Sequence, residues 1–136
     1  MDLENFYTQQ EVIDLTRKLV AIPSHKDVPG REKEVAEFIH SFCTENDLEA
    51  EMRVVDGERK NVYVYLKGTG QGRTLLFNGH TDTVPPYDMT IEPFKGEVKD
   101  GFLWGRGVND MKGAVACMLM TLLALKRSEI RLPGDV

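Results

Sequence analysis

Apolar residues follow two rhythms along this chain. Val12, Leu15 and Leu19 recur at helical spacing. Thr8, followed three residues later by Glu11, reads as a capping box, so a first helix is expected to run to about Val20, closed by Pro23. Gly30 precedes a second helix, in which Val35, Phe38, Ile39 and Phe42 make one apolar stripe. The period then drops to two. Residues 49–55 (EAEMRVV) alternate, Asp56-Gly57 signals a turn, and 61–68 (NVYVYLKG) put Val62, Val64 and Leu66 on one face and Tyr63 and Tyr65 on the other. The continuous apolar run TLLFNGH (74–80) predicts a strand buried on both faces. GEVK and FLW flank Asp100-Gly101, a two-residue hairpin signature. A helix follows from about Met111 to Arg127, and Pro133-Gly134-Asp135-Val136 reads as a turn into a further strand.

A buried strand, a buried helix and a following strand compose a βαβ crossover. The order of elements therefore predicts an α/β fold: a three-layer sandwich with a mixed sheet, parallel at its centre and antiparallel at its flank. Gly68, Gly70 and Gly72 form a flexible turn. They do not form a phosphate-binding loop, because no GK[ST] follows and the next element is a strand.

Composition narrows the partners. With 136 residues, 41% apolar and 29% charged, the chain is long enough for one globular domain. Its formal net charge of -5, without a basic face, argues against nucleic acid. The apolar stretch Ala114 to Leu125 is too short to span a bilayer and predicts a core helix, so no membrane is expected. The acidic N-terminus lacks a signal-peptide layout. Cys43 and Cys117 lie in helical apolar patterns and are expected to be buried free thiols in a reducing, cytoplasmic setting.

Chemistry concentrates in residues 74–113. His80 and Asp82 end the apolar run of GHTDTVP, and in extended backbone residues two apart point the same way. A carboxylate beside an imidazole fixes its tautomer and frees the other nitrogen for a metal; a hydrogen-bonded structural pair would look the same. Asp110, in GRGVNDMKG, precedes the apolar helix and has a plain reading as its N-cap. Gly105, Gly107 and Gly113 around it allow close backbone approach, and a carboxylate can bridge two cations about 3.5–4 Å apart. GRGVND also approximates a dinucleotide fingerprint, but the third glycine position is Asp110, which would repel a pyrophosphate.

GHTDTVP and GRGVNDMKG, in that order between a hydrophobic strand and a helix, resemble the two N-terminal signatures of the M20 family of metallopeptidases and amidohydrolases. That family includes acetylornithine deacetylases, succinyl-diaminopimelate desuccinylases and aminoacylases. The helical start and the Ala21-Ile22-Pro23-Ser24 stretch look similar too. The resemblance implies that His80 is a terminal ligand of one metal ion, that Asp110 is the carboxylate shared by two, and that Asp82 is the acid that orients His80. It implies a cis peptide just after the shared carboxylate, here Asp110-Met111. It implies two divalent ions, zinc before cobalt or manganese, and cleavage of amide bonds in N-acyl amino acids or small peptides by a homodimeric parent protein. The family's Glu-Glu pair has no counterpart here: after Asp110 the only acids are Glu129 and Asp135, and no His follows His80. Residues 1–136 are thus expected to be the N-terminal portion of the catalytic domain, without the rest of that domain or the dimerisation domain. Alone, the chain is expected to be inactive, to bind metal weakly and to self-associate through an uncovered face of its last helix. The alternative is a non-catalytic binding module in which His80 and Asp110 are structural.

Overall fold

The computed structural model describes residues 2–136. Helix α1 (Gln9–Ala21) begins at the expected capping box: Thr8 accepts from the Glu11 backbone N–H, and Glu11 accepts from that of Thr8. Helix α2 (Lys33–Glu45) buries Val35 and Ile39, with Phe38 and Phe42 packed at the margin of the same core. Strands β1 (Glu49–Asp56) and β2 (Arg59–Tyr65) pair antiparallel, Met52 opposite Val62, with a bulge between Val54 and Asp56. Val62, Val64 and Leu66 face the helical core, as their alternation requires. Strands β3 (Glu97–Lys99) and β4 (Phe102–Trp104) form the second hairpin. Its turn has positive φ at both Asp100 and Gly101, the geometry that matches strand twist. Arg17 ties this hairpin to α1, its Nε donating to the Gly96 carbonyl at 3.0 Å.

Helix α3 (Gly113–Arg127) is the hub. Val115, Ala116, Leu119, Met120, Leu122 and Leu123 are buried against Leu15 and Leu19 of α1 and Val35 and Ile39 of α2. By length and composition the stretch Val108–Arg127 would pass for a membrane span, yet its apolar residues make up the centre of this core. Cys43 is buried as expected, and burial raises its thiol pKa to about 12. Cys117 is exposed, contrary to expectation: it lies on a face of α3 that no other described element covers.

The α/β class holds, but residues 74–80 depart from the sequence reading. They carry no strand ladder and are exposed along their whole length, with Leu76 at 82%. A strand buried on both faces needs a neighbour on each edge. Here a single bond, from the Leu75 N–H to the Asp135 carbonyl at 2.9 Å, represents the expected parallel pairing. Both sheets among the described residues are two-stranded and antiparallel. The expected strand after Pro133 does start: Val136 exchanges two backbone hydrogen bonds with Leu66, at 2.8 and 2.9 Å.

Candidate active site

The two motifs meet. His80 lies between two acids, its Nε2 3.0 Å from Asp110 Oδ1 and its Nδ1 3.0 Å from Asp82 Oδ1. Nδ1 is also 3.2 Å from the Asp82 backbone carbonyl. That carbonyl can only accept, so Nδ1 carries the hydrogen and Nε2 is the nitrogen turned toward Asp110. Partial desolvation pulls the His80 pKa down. Hydrogen bonds to Asp110 and to the Asp82 carbonyl, and the charge of both carboxylates, outweigh it, so the pKa lies above the ordinary 6.5.

Asp110 does not cap α3. Its backbone is extended (φ −134°, ψ 94°), the helix starts three residues later, and the residue before Gly113 makes no side-chain cap bond. The carboxylate is 81% exposed and meets the His80 ring. A wide turn over Val108–Lys112 carries it, closed by the Lys112 N–H donating to the Gly107 carbonyl at 2.7 Å. The Asp110-Met111 peptide is cis, as the family pattern implies. Gly107 has φ +83°, and a Cβ there would come within 2.6 Å of the Thr83 methyl, so the loop bearing Asp110 and the loop bearing His80 pack at a point only glycine fits.

Two residues of the motif stretches to which the sequence assigned no role hold the pair in place. Ser24 is fully buried; its Oγ donates to the Thr81 carbonyl at 2.7 Å, and its own carbonyl accepts from the Thr83 N–H at 3.1 Å. Lys112 is 1% exposed, with Nζ donating to the Ile22 carbonyl at 2.5 Å beside the end of α1. A cation is favoured at a helix C-terminus, but burial lowers the Lys112 pKa to about 8. The Ile22-Pro23-Ser24 stretch thus fastens both motif loops. His25 and His40 stay outside the site, His25 buried and stacked on Phe94 at 6.0 Å.

The donor set fits a divalent cation. Two ligands of one tetrahedral ion, each about 2.0–2.1 Å from it, lie roughly 3.3 Å apart. His80 Nε2 and Asp110 Oδ1 are at nearly that separation, and Asp110 keeps its second oxygen open. Among the described residues no group of three or more His, Cys, Asp or Glu is placed to hold a metal.

Comparison with known proteins agrees with the motifs. Residues 76–136 match the model of peptidase family M20/M25/M40, a span that includes His80, Asp82 and Asp110. The chain is 34% identical over 134 residues to the N-formyl-4-amino-5-aminomethyl-2-methylpyrimidine deformylase of Halalkalibacterium halodurans, with 94% of this chain and 31% of that protein covered. It is 38% identical over 124 residues to the succinyl-diaminopimelate desuccinylase of Methylorubrum populi, covering 86% of this chain and 31% of the relative. Its fold matches human carnosine dipeptidase 1 with a TM-score of 0.73 at 23% identity, over 93% of this chain and 30% of the other. The chain belongs to peptidase family M20/M25/M40. It spans about a third of the length of these relatives.

Proposed function

We propose that this chain contributes one half of a divalent-metal site in a hydrolase that cleaves amide bonds of N-acyl amino acids or small peptides, as the N-terminal portion of its catalytic domain. The observation that carries the reading is the approach of His80 Nε2 to Asp110 Oδ1 at 3.0 Å, with Asp82 on the opposite ring nitrogen. The names of the relatives, a deformylase and desuccinylases, support removal of an acyl group from nitrogen.

In this reading His80 and Asp110 are metal ligands, with Asp110 shared between two ions, zinc in preference to cobalt or manganese. Asp82 orients the ring and raises its basicity. A cation bound there supplies polarisation of the scissile carbonyl and a lowered pKa for water. Ser24 and Lys112 hold the two loops so that the ligands stay converged. With two ligands and no carboxylate free to serve as general base, the 136 residues by themselves bind metal weakly and do not turn over substrate.

In a longer protein that carries this chain, His80→Ala and Asp110→Ala should each lower metal-dependent amino-acid release by at least about 100-fold, and Asp82→Asn by roughly 10–100-fold. Full activity in either ligand variant would refute the assignment.

A further inference from the structure

Strand β1 has one free edge. Glu49, Glu51 and Arg53 lie opposite Tyr65, Tyr63 and Asn61 of β2. Leu66 turns its N–H and C=O away from β1, toward Val136. Backbone groups two residues apart point the same way, so Val64 and Val62 do likewise, and Tyr65, Tyr63 and Asn61 make the bonds to β1. On β1 the backbone groups of Glu49, Glu51 and Arg53 therefore face β2, and those of Ala50, Met52 and Val54 face outward. No described residue pairs with them. The register runs unbroken from Glu49 to Val54, and the bulge lies past that point. A straight, unpaired strand edge is a template for another strand.

The side chains make this edge complementary to itself. Arg53 Nε and Nη2 donate to the two carboxylate oxygens of Glu51 at 2.8 and 2.9 Å, and the guanidinium lies 4.8 Å from the centre of the Tyr63 ring, so both charges are held in place. Let two copies of β1 meet antiparallel about a twofold axis. An axis at Met52 sets Glu51 opposite the partner's Arg53, twice over. An axis at Glu51 or at Arg53 sets like charges together, one at Ala50 sets Glu49 against the partner's Glu51, and one at Val54 offers Arg53 no acid. Like charges directly opposed destabilise a strand pair, and opposite ones favour it. On the other face, Val54 is 67% exposed, whereas Ala50 packs at the margin of the core. The Met52 axis lays Val54 against the partner's Ala50, a small residue beside an apolar surface.

We propose that the outer edge of β1 docks a second copy of this chain, antiparallel and with Met52 on the axis, joining two hairpins into one four-stranded sheet. Main-chain bonds at Ala50, Met52 and Val54 supply the grip, and the Glu51 and Arg53 pairs select the register. So short an edge buries less than the roughly 1,200 Å² of a standard interface, so the association is transient. This edge is separate from the uncovered face of α3, and it stands whether or not His80 and Asp110 hold metal.

The test is disulfide cross-linking between copies in a glutathione redox buffer, with the exposed Cys117 replaced by Ser. Facing Cα atoms of a hydrogen-bonded pair are about 5.5 Å apart, within disulfide reach, so Met52→Cys should link two copies. Ala50→Cys should do so at least about tenfold more slowly, because the Met52 axis leaves the two residues at position 50 about 14 Å apart. Adding Arg53→Glu to Met52→Cys should abolish the link, and adding Glu51→Arg as well should restore it. Equal rates at positions 50 and 52, or a Met52→Cys rate that Arg53→Glu leaves unchanged, overturns the proposal. Should a cysteine variant not fold, amide exchange on the unaltered chain decides. Ala50, Met52 and Val54 must exchange more slowly as chain concentration rises, while Glu51 and Arg53, already bonded to β2, stay constant. Exchange at the first three that does not depend on concentration refutes the docking edge.

Discussion

His80 is gripped at both ring nitrogens, and its protonation should report that grip. Because its folded pKa is raised, the charged ring stabilises the fold below the unfolded value near 6.5, and that contribution fades as pH climbs through the folded value. The half-exposed ring makes the effect small. The expected NMR titration midpoint lies above 6.5 and falls in Asp110→Asn; an unchanged midpoint would mean that the two groups do not meet. Lys112 carries the opposite sign. Its folded pKa of about 8 against an ordinary 10.5 means that the unfolded chain holds the proton more tightly. Stability should therefore rise between pH 8 and 10.5, by no more than about 3 kcal/mol. The rise should vanish in Lys112→Met, as followed by urea unfolding at several pH values. His80, Asp82 and Asp110 were legible because they sit inside recognisable motifs. Ser24 and Lys112 stand in such stretches too, but their roles were not legible: their partners are backbone carbonyls, 57 and 90 residues distant along the chain, and any residue type supplies a carbonyl.

At the level of elements, local rules succeeded where local forces decide. The capping box at Thr8, the stripe of α2, the alternation of β2 and the Asp100-Gly101 turn are each specified by neighbours in sequence. Residues 74–80 failed the same reasoning because a buried strand is defined by partners on both edges, which its own apolar content cannot supply. The glycine loop at 68–72, read from sequence as flexible, is instead a cradle. The Thr69, Gln71 and Gly72 N–H groups donate to the carbonyls of Leu132 and Pro133 at 2.7–2.8 Å, and Gly68 donates to the Asp135 carboxylate at 2.8 Å. A Cβ on Gly134 would lie 1.9 Å from the Arg73 carbonyl oxygen. Gly134→Ala should cost about 2 kcal/mol or more in denaturant unfolding and expose the Leu66 and Thr69 amides to exchange. Unaltered protection at those two amides would show that the segment is held by other means.

Across the whole molecule, three helices share one core, and that core fixes the relative position of two motifs 30 residues apart. The C-terminal end of α1 holds the Asp110 loop through Lys112, while Ser24 holds the His80 loop, so the site inherits the rigidity of the α1–α3 packing. The net charge of -5 predisposes the molecule to cations without choosing one. In the proposed reading proton and cation would compete for His80 Nε2, so metal affinity should rise with pH through the His80 titration. The most direct test is a zinc titration followed by the ¹⁵N resonances of the His80 ring. The expected result is a shift at Nε2 with Nδ1 still protonated, abolished in Asp110→Asn. Zinc that leaves His80 untouched, or that shifts it equally without the Asp110 carboxylate, would contradict a shared cation at this pair.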